Sequence, residues 1–271
     1  AGGGAGAAID SDTCFNILLG CNAGKSLNEG DHNIFLGCYA GESATSAACN
    51  IFLGNKAGCS LTSGNYNVFL GKYSNKCRTG GNNNISLGAF SANSAESGSY
   101  NVSIGRGTRM TATTGSDGVA IGRYAQRYVT GNCNVAIGMC AGAGSSSGTI
   151  SGTFNVAIGR YAGELFTTAK ANVYIGKNTG RNASTGSCNI ALGIDAMGSG
   201  TITGDKNVAI GACANQNASS GAGNVMIGHQ AGKCNTNKDG NVFVGCNAGR
   251  CNTGGGNVYI GNQAGCDVDT S

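Results

Sequence analysis

The sequence predicts an all-β protein, a parallel β-solenoid (β-roll) of about fifteen 17-residue coils. Three observations predict it. A five-residue unit, Asn-(Val/Ile)-x-(Ile/Leu/Val)-Gly, recurs along nearly the whole chain; the 271 residues include 50 Gly and no Pro; and only 11% of the residues are charged. A short unit repeated at a nearly fixed period is typical of stacked repeat architectures. Each unit is therefore expected to form one coil.

The repeat begins at an Asn in fourteen of fifteen units, and Gly118 stands in that place once. We count this residue as position 0 of its coil. The first seven starts are 17 residues apart, and the later spacings are 16, 21, 17, 17, 18, 17, 17 and 16. These boundaries predict an N-terminal leader (residues 1–15), a β-solenoid domain (residues 16–265) and a C-terminal tail (residues 266–271). The units begin at residues 16, 33, 50, 67, 84, 101, 118, 134, 155, 172, 189, 207, 224, 241 and 257.

A helical solenoid fits this period poorly. Seventeen residues cannot hold two helices and their turns, and Gly is unfavourable in helices. A β-branched run followed by an obligatory Gly turn fits one β-coil, and the absence of Pro suits a closely hydrogen-bonded sheet. The 21-residue interval is rich in Ser and Gly between Gly142 and Gly152. Its extra residues are expected to bulge from a turn without disturbing the register of the strands.

Side chains in a strand alternate between two faces. We expect positions 1 and 3 to face the inside of the coil and position 2 to face outward. Thirteen of the fifteen residues at position 2 are apolar or aromatic, and large exposed apolar stripes mark association surfaces. We therefore predict a side-by-side homotrimer with this row at its axis; the alternative is that the row lies under the chain's own terminal residues. The predicted interface residues are Leu18, Phe35, Phe52, Phe69, Ala136, Ala157, Tyr174, Met226, Phe243 and Tyr259.

The Asn at position 0 has two interpretations. A polar row could bind a ligand, or the amides could form a stacked ladder of side-chain hydrogen bonds, as in cross-β structures. We favour the ladder, because Asn occupies the entry to the strand in nearly every unit.

The repeat resembles a known family. Asn134-Val135-Ala136-Ile137-Gly138, and the longer run from Asn155 to Gly163, are similar to the head repeats of trimeric autotransporter adhesins (YadA-like heads) and to the Asn-x-Ala-Ile-Gly-x-x-Ala-Gly repeats of phage tail fibres. The resemblance covers nearly the whole chain. It implies a left-handed parallel β-roll, three chains side by side, and an elongated adhesive or spacer element. The sequence differs from these families in two respects. The adhesin-head unit is usually shorter than 17 residues, and no coiled-coil stalk, membrane anchor or self-cleaving chaperone domain is recognisable.

Fourteen Cys favour an oxidising compartment if they pair. Residues at equal positions of adjacent coils have Cα atoms within disulfide range. Disulfides within or between chains, free structural thiols and a metal site are the three interpretations, in decreasing order of preference. A metal site is the least favoured, because no Cys-x-x-Cys occurs and the two His are far apart in the chain. The candidate disulfide pairs are Cys21–Cys38 and Cys234–Cys251, at equal positions of adjacent coils, and Cys59–Cys77, at positions 9 and 10 of adjacent coils.

A row of basic residues follows the obligatory Gly. Arg106 and Arg123 lie on neighbouring coils, as do Arg160 and Lys177. The row is a candidate strip for an anionic ligand, such as a surface glycan or a cell envelope. The alternative, which we favour, is a solvated row that keeps the rod soluble.

We expect no enzymatic activity and no cofactor. A nucleophile needs a base beside it, and His32 and His229 cannot serve a repeated site; the Gly-rich stretches also lack the Lys-Ser/Thr of a phosphate loop. The net charge of +4 does not by itself suggest nucleic acid, and no apolar run is long enough to span a membrane.

The leading functional hypothesis is therefore a trimeric extracellular fibre segment, on a cell surface or a virion, that projects from or binds to a surface. The alternative is a filament subunit that stacks end to end through uncapped solenoid ends. Ice binding is less favoured, because the Thr residues are scattered through variable turns.

Overall fold

The computed structural model describes residues 2–10, 13–94, 97–111, 114–145 and 151–266. Within these residues the protein is all-β and contains no helix. The chain comprises two compact units, Ala1–Cys133 and Asn134–Ser271. Each unit is a stack of parallel coils, with one three-residue strand per coil, so the predicted β-solenoid is confirmed.

The strands coincide with positions 1 to 3 of the repeat. The first unit contains β1 Ile17–Leu19, β2 Ile34–Leu36, β3 Ile51–Leu53, β4 Val68–Leu70, β5 Ile85–Leu87, β6 Val102–Ile104 and β7 Val119–Ile121. The second unit contains β8 Val135–Ile137, β9 Val156–Ile158, β10 Val173–Ile175, β11 Ile190–Leu192, β12 Val208–Ile210, β13 Val225–Ile227, β14 Val242–Val244 and β15 Val258–Ile260.

Within each unit, every strand pairs in parallel with the next, and equal positions lie opposite one another. The 21-residue interval leaves this register intact, because Val135 pairs with Val156 and Ile137 with Ile158. The expected bulge falls largely on residues 146–150, which lie outside the described residues.

The predicted orientation of the strands is wrong. Position 2 faces the interior: Phe35, Phe52, Phe69 and Phe243 are completely buried. The flanking residues at positions 1 and 3 face outward and are half-buried or exposed. Alternation along the strand holds, but its phase is the reverse of the prediction, because the rest of each coil closes over position 2.

The predicted interface row therefore forms the core of each unit. This correction applies to the remaining members of the row as well, of which only those on β1 and β15 are partly exposed. They are Leu18, Ala136, Ala157, Tyr174, Met226 and Tyr259.

Aromatic rings stack along the interior of the first unit. The Phe35 and Phe52 centroids are 4.6 Å apart, and the rings lie 5° from parallel; Phe52 and Phe69 repeat the arrangement at 4.7 Å. This distance is close to the spacing between neighbouring strands. The in-register stacking of the coils thus places identical side chains directly over one another.

Positions 2 and 8 of a coil share one interior space. Where position 2 is large, position 8 is usually Gly; where position 2 is Ser or Ala, position 8 is usually larger. The large–Gly pairs include Phe35–Gly41, Tyr174–Gly180, Met226–Gly232 and Phe243–Gly249, and the small–large pairs include Ser103–Arg109, Ala120–Gln126, Ala191–Met197 and Ala209–Asn215. An exception is Asn75, which stands at position 8 beside Phe69 and accepts a hydrogen bond at Oδ1 from the buried Arg78 (3.3 Å).

The Gly at position 4 ends each strand, with φ between 120° and 138°. It also lies against the next coil: a Cβ on Gly37 would be 2.5 Å from the carbonyl oxygen of Gly54. A side chain is therefore excluded by conformation and by space, which accounts for the Gly in every unit.

The predicted Asn ladder is present. Asn50 donates from Nδ2 to Oδ1 of Asn33 (3.1 Å) and to the carbonyl of Gly64 (2.9 Å), and its own Oδ1 accepts from Asn67. Equivalent bonds recur in both units. Each buried amide is satisfied by the coils on either side of it.

Coil geometry extends into the predicted leader. Gly6 and Ala8 donate to the carbonyls of Ala23 and Lys25, each at 3.0 Å. Residues 2–9 thus stack on the first coil as the second half of a coil. Of the predicted tail, only Cys266 is among the described residues.

Candidate functional site: the outward faces of the coils

The strands of each unit present a continuous aliphatic face to solvent. We define it as positions 1 and 3 of every strand, and each of these residues is Val, Ile or Leu. Near the middle of the first unit, Ile51 and Ile85 remain 37% and 40% exposed; in the second, Ile175 and Ile190 are each 39% exposed. A sheet that is apolar on both faces is usually covered on both. The aliphatic face departs from this rule, because the single chain leaves it uncovered.

Exposed aromatic rings adjoin this face at the residue that precedes position 0. Phe15, Tyr66, Tyr100 and Phe154 are each more than 60% exposed. Their φ angles lie between 56° and 60°, a left-handed conformation that is unusual for these residues. Large exposed rings beside an apolar sheet have the composition of interface anchors.

The candidate basic strip is solvent-exposed in each unit. Arg106 and Arg123 are exposed in the first unit, and Arg160 and Lys177 in the second. Aromatic rings lie beside them: the Arg123 guanidinium is 5.4 Å from the Tyr124 centroid, and that of Arg160 is 4.8 Å from Tyr161. The structure places these cations on the surface of their units, as the sequence predicts.

A pocket opens in the first unit at a break in a column of aromatic rings, which Tyr73, Phe90 and Tyr124 form at position 6 of their coils. It encloses about 180 Å³ and is lined by Phe90, Arg106, Gly107, Met110, Tyr124 and Arg127. Phe90, Gly107 and Tyr124 occupy position 6 of three successive coils. Gly107 therefore leaves a gap where the neighbouring coils carry a ring. A second pocket, in the second unit, lies among Ser145, Leu165, Thr167, Asn182, Ser184 and Thr201.

Two arginines are buried inside the first unit near this pocket. Arg78 donates to Asn75 and Gly98, and Arg109 donates to Gln126 Oε1 (2.9 Å) and to the Gly115 carbonyl (2.8 Å). Burial lowers the pKa of each guanidinium to about 10, and for Arg78 the nearby charge of Arg109 also contributes. Neither forms an ion pair with a described carboxylate.

Arg109 compensates for the one missing Asn of the ladder. A Cβ on Gly118 would lie 2.3 Å from Nη1 of Arg109, so the guanidinium occupies the space where the Asn side chain would begin. Gly118 still donates its N–H to Asn101 Oδ1 at 3.0 Å. The sequence analysis does not predict that Arg109 fills the space of the missing Asn, although Gly118 and the charged Arg109 depart from the repeat in adjacent coils.

No disulfide bond joins any two of the fourteen cysteines in the structure. In the predicted pair Cys234–Cys251, the two Sγ atoms lie 3.4 Å apart. Burial and the neighbouring Cys251 thiol raise the pKa of Cys234, and burial and Cys21 raise that of Cys38. Cys59 is buried, and its Sγ donates to the Lys76 carbonyl rather than to Cys77. The three disulfides therefore stay predictions.

The described residues contain no group of three or more His, Cys, Asp and Glu side chains placed to hold a metal ion. They also contain no helix that is long and apolar enough to cross a membrane.

Comparison of the chain with protein-family models, with curated proteins and with solved structures finds no match.

Proposed function

We propose that this chain is a non-enzymatic structural segment of an extracellular fibre, in which copies associate side by side through the aliphatic face. The observation that carries the proposal is the exposure of Val, Ile and Leu at positions 1 and 3 along the strands of both units. Burying such a face gains roughly 25 cal/mol for each Å² of apolar surface removed from water. The same face left in water is an aggregation hazard.

A second copy of the chain is the occupant that fits this face best. The face repeats with the period of the coils, so an identical face can match it coil for coil in a closed, symmetric arrangement. The aromatic rim formed by Phe15, Tyr66, Tyr100 and Phe154 would supply anchors at its edge. Three copies are the number that the resemblance to adhesin heads and tail fibres implies, and an adhesive or spacer role on a cell surface or virion follows from the same resemblance.

The proposal is tested by sedimentation velocity and light scattering of the purified chain. The expected particle has three times the 26.8 kDa mass of one chain. Ile51→Lys and Ile85→Lys in the first unit, or Ile175→Lys and Ile190→Lys in the second, should shift the particle toward the single-chain mass. Ser63→Lys, at an exposed turn position, is the control and should leave the mass unchanged.

Far-UV circular dichroism checks that each variant remains folded. A wild-type chain that is monomeric at micromolar concentration would contradict the proposal. Rods whose length grows with concentration, seen by electron microscopy, would favour the alternative of end-to-end stacking.

A further inference from the structure

We infer that the pocket at Gly107 is a binding site for an anionic sugar, specifically a carboxylated pyranose of an acidic polysaccharide. This inference is independent of the proposed self-association, because every residue of the pocket belongs to one unit of one chain.

The shape of the pocket indicates a ring-sized occupant. Tyr73 and Phe90, at position 6 of successive coils, have ring centroids 5.2 Å apart. The next coil carries Gly107 and the one after it Tyr124, so one ring of the column is absent. Tyr124 leans over the gap, since a Cβ on Gly107 would lie 2.7 Å from Cε1 of Tyr124. A volume of about 180 Å³ between Phe90, Met110 and Tyr124 admits one small ring and is below the range of drug-sized pockets.

The charge of the pocket indicates an anion. Arg106 and Arg127 line it, and neither pairs with a described carboxylate. The Nε of Arg127 is buried without a hydrogen-bond partner, although a buried donor of this kind is normally satisfied. The guanidinium group also lies 4.8 Å from the Tyr124 centroid, within the range of a cation–π contact. Guanidinium groups bind carboxylates with paired hydrogen bonds.

The charge of the chain is concentrated around this pocket. Residues 72–127 contain seven Lys and Arg and two Asp and Glu, a net +5, whereas the remaining residues contain ten and eleven, a net −1. Arg78 and Arg109 are buried, and the other five cations of this region raise the local concentration of an anionic polymer.

A sugar acid fits this combination better than nucleic acid does. Its ring presents apolar C–H groups to Phe90 and Tyr124, and its carboxylate matches Arg106 and Arg127. Nucleic acid would call for a long basic track with several stacking platforms, and outside residues 72–127 the net charge is slightly negative.

Gly107→Tyr is the decisive variant. Position 6 carries Tyr in other coils with the same backbone conformation, as in Tyr73 at φ 60° compared with 65° at Gly107. The backbone therefore accepts the substitution, while the new side chain displaces the Tyr124 ring from over the gap and closes the pocket; far-UV circular dichroism checks that the variant is folded.

The test is calorimetric titration of the full chain with trigalacturonic acid, with neutral maltotriose and with a thymidine oligonucleotide. We expect binding of trigalacturonic acid alone. Affinity should fall about tenfold or more in Arg106→Gln and in Arg127→Gln, and binding should be lost in Gly107→Tyr. Lys177→Gln, which removes an exposed cation of the second unit, is the control and should bind as the wild type does.

Three outcomes would overturn the inference: no binding of trigalacturonic acid at millimolar concentration, equal binding of maltotriose or the oligonucleotide, or unchanged binding in Gly107→Tyr. Sedimentation of the same samples measures self-association separately, so that failure of the sugar site is distinguished from failure of the proposed fibre.

Discussion

Gly249 lies so close to Phe243 that a Cβ at Gly249 would be 2.4 Å from Cδ2 of the Phe243 ring. The two residues stand at positions 8 and 2 of one coil. Their contact shows how each coil fills its interior: the ring at position 2 takes the space that a side chain at position 8 would need. The compensation between these positions is what turns the central residue of the strand inward.

We predict that Gly249→Ala destabilises the protein by about 2–4 kcal/mol. About 1–2 kcal/mol comes from placing Ala at φ 53°, and the rest comes from overpacking against Phe243. Gly223→Ala is the matched control, because Gly223 has φ 66° but no atom within 4 Å of a Cβ. Urea unfolding should show the smaller loss for the control. In the double variant with Phe243→Ala, a coupling energy of about 1–3 kcal/mol is expected, and strict additivity would contradict the shared space.

Asn50→Ala should lower the free energy of unfolding by about 2–4 kcal/mol. The change removes the acceptor of the Asn67 N–H and Nδ2 groups, and it removes the donor to Gly64. Buried groups left unpaired cost about 1–3 kcal/mol each. Asn55→Ala, in the same coil, removes only a 3.4 Å surface bond and should change the unfolding free energy by less than about 0.5 kcal/mol. Similar losses for the two variants, measured by denaturant unfolding, would show that the ladder is not a source of stability.

Restoring the repeat at Gly118 should destabilise the protein rather than stabilise it. Gly118→Asn places its Cβ against Nη1 of Arg109 and should cost about 1–3 kcal/mol by overpacking. In an Arg109→Gly background, which vacates that space and removes a buried charge, the same substitution should be neutral or stabilising. The exposed Arg106→Gly background serves as the control and should combine additively with Gly118→Asn. A gain in stability from Gly118→Asn alone would contradict the proposed role of Arg109.

Mild oxidation should join Cys234 to Cys251 before any other pair. Their Sγ atoms are 3.4 Å apart, and a diamide-type oxidant would accept the two electrons and two protons that the thiols release. The raised pKa of Cys234 lowers its thiolate fraction at neutral pH, so the rate should continue to rise above the pH at which an ordinary thiol is fully ionised. Peptide mapping by mass spectrometry would identify the bond. Faster formation of a Cys59–Cys77 disulfide would contradict this prediction. Cys251→Ser, which cannot form the Cys234–Cys251 bond, is the negative control.

The sequence predicts only part of the candidate site. The basic residues Arg106 and Arg123 were recognised from their shared position, and the structure confirms that they are exposed. The pocket beside them was not recognised, although Gly107 interrupts a row of rings at position 6 that is visible in the sequence. Arg78 and Arg109 could not be assigned to the interior, because charged residues are rarely buried without a partner.

The repeat, the strand positions, the register and the Asn ladder can all be predicted from the sequence. Each of these follows from a local pattern that recurs at nearly constant spacing, and parallel in-register stacking brings equal positions together. Which side of the strand lies inside depends on packing in three dimensions. Alternation defines two faces, but both are apolar here, and the choice depends on how Gly249 and its equivalents at position 8 make room for Phe243 and its equivalents at position 2. That packing turned the predicted interface row into the core and left Val, Ile and Leu at positions 1 and 3 facing the solvent.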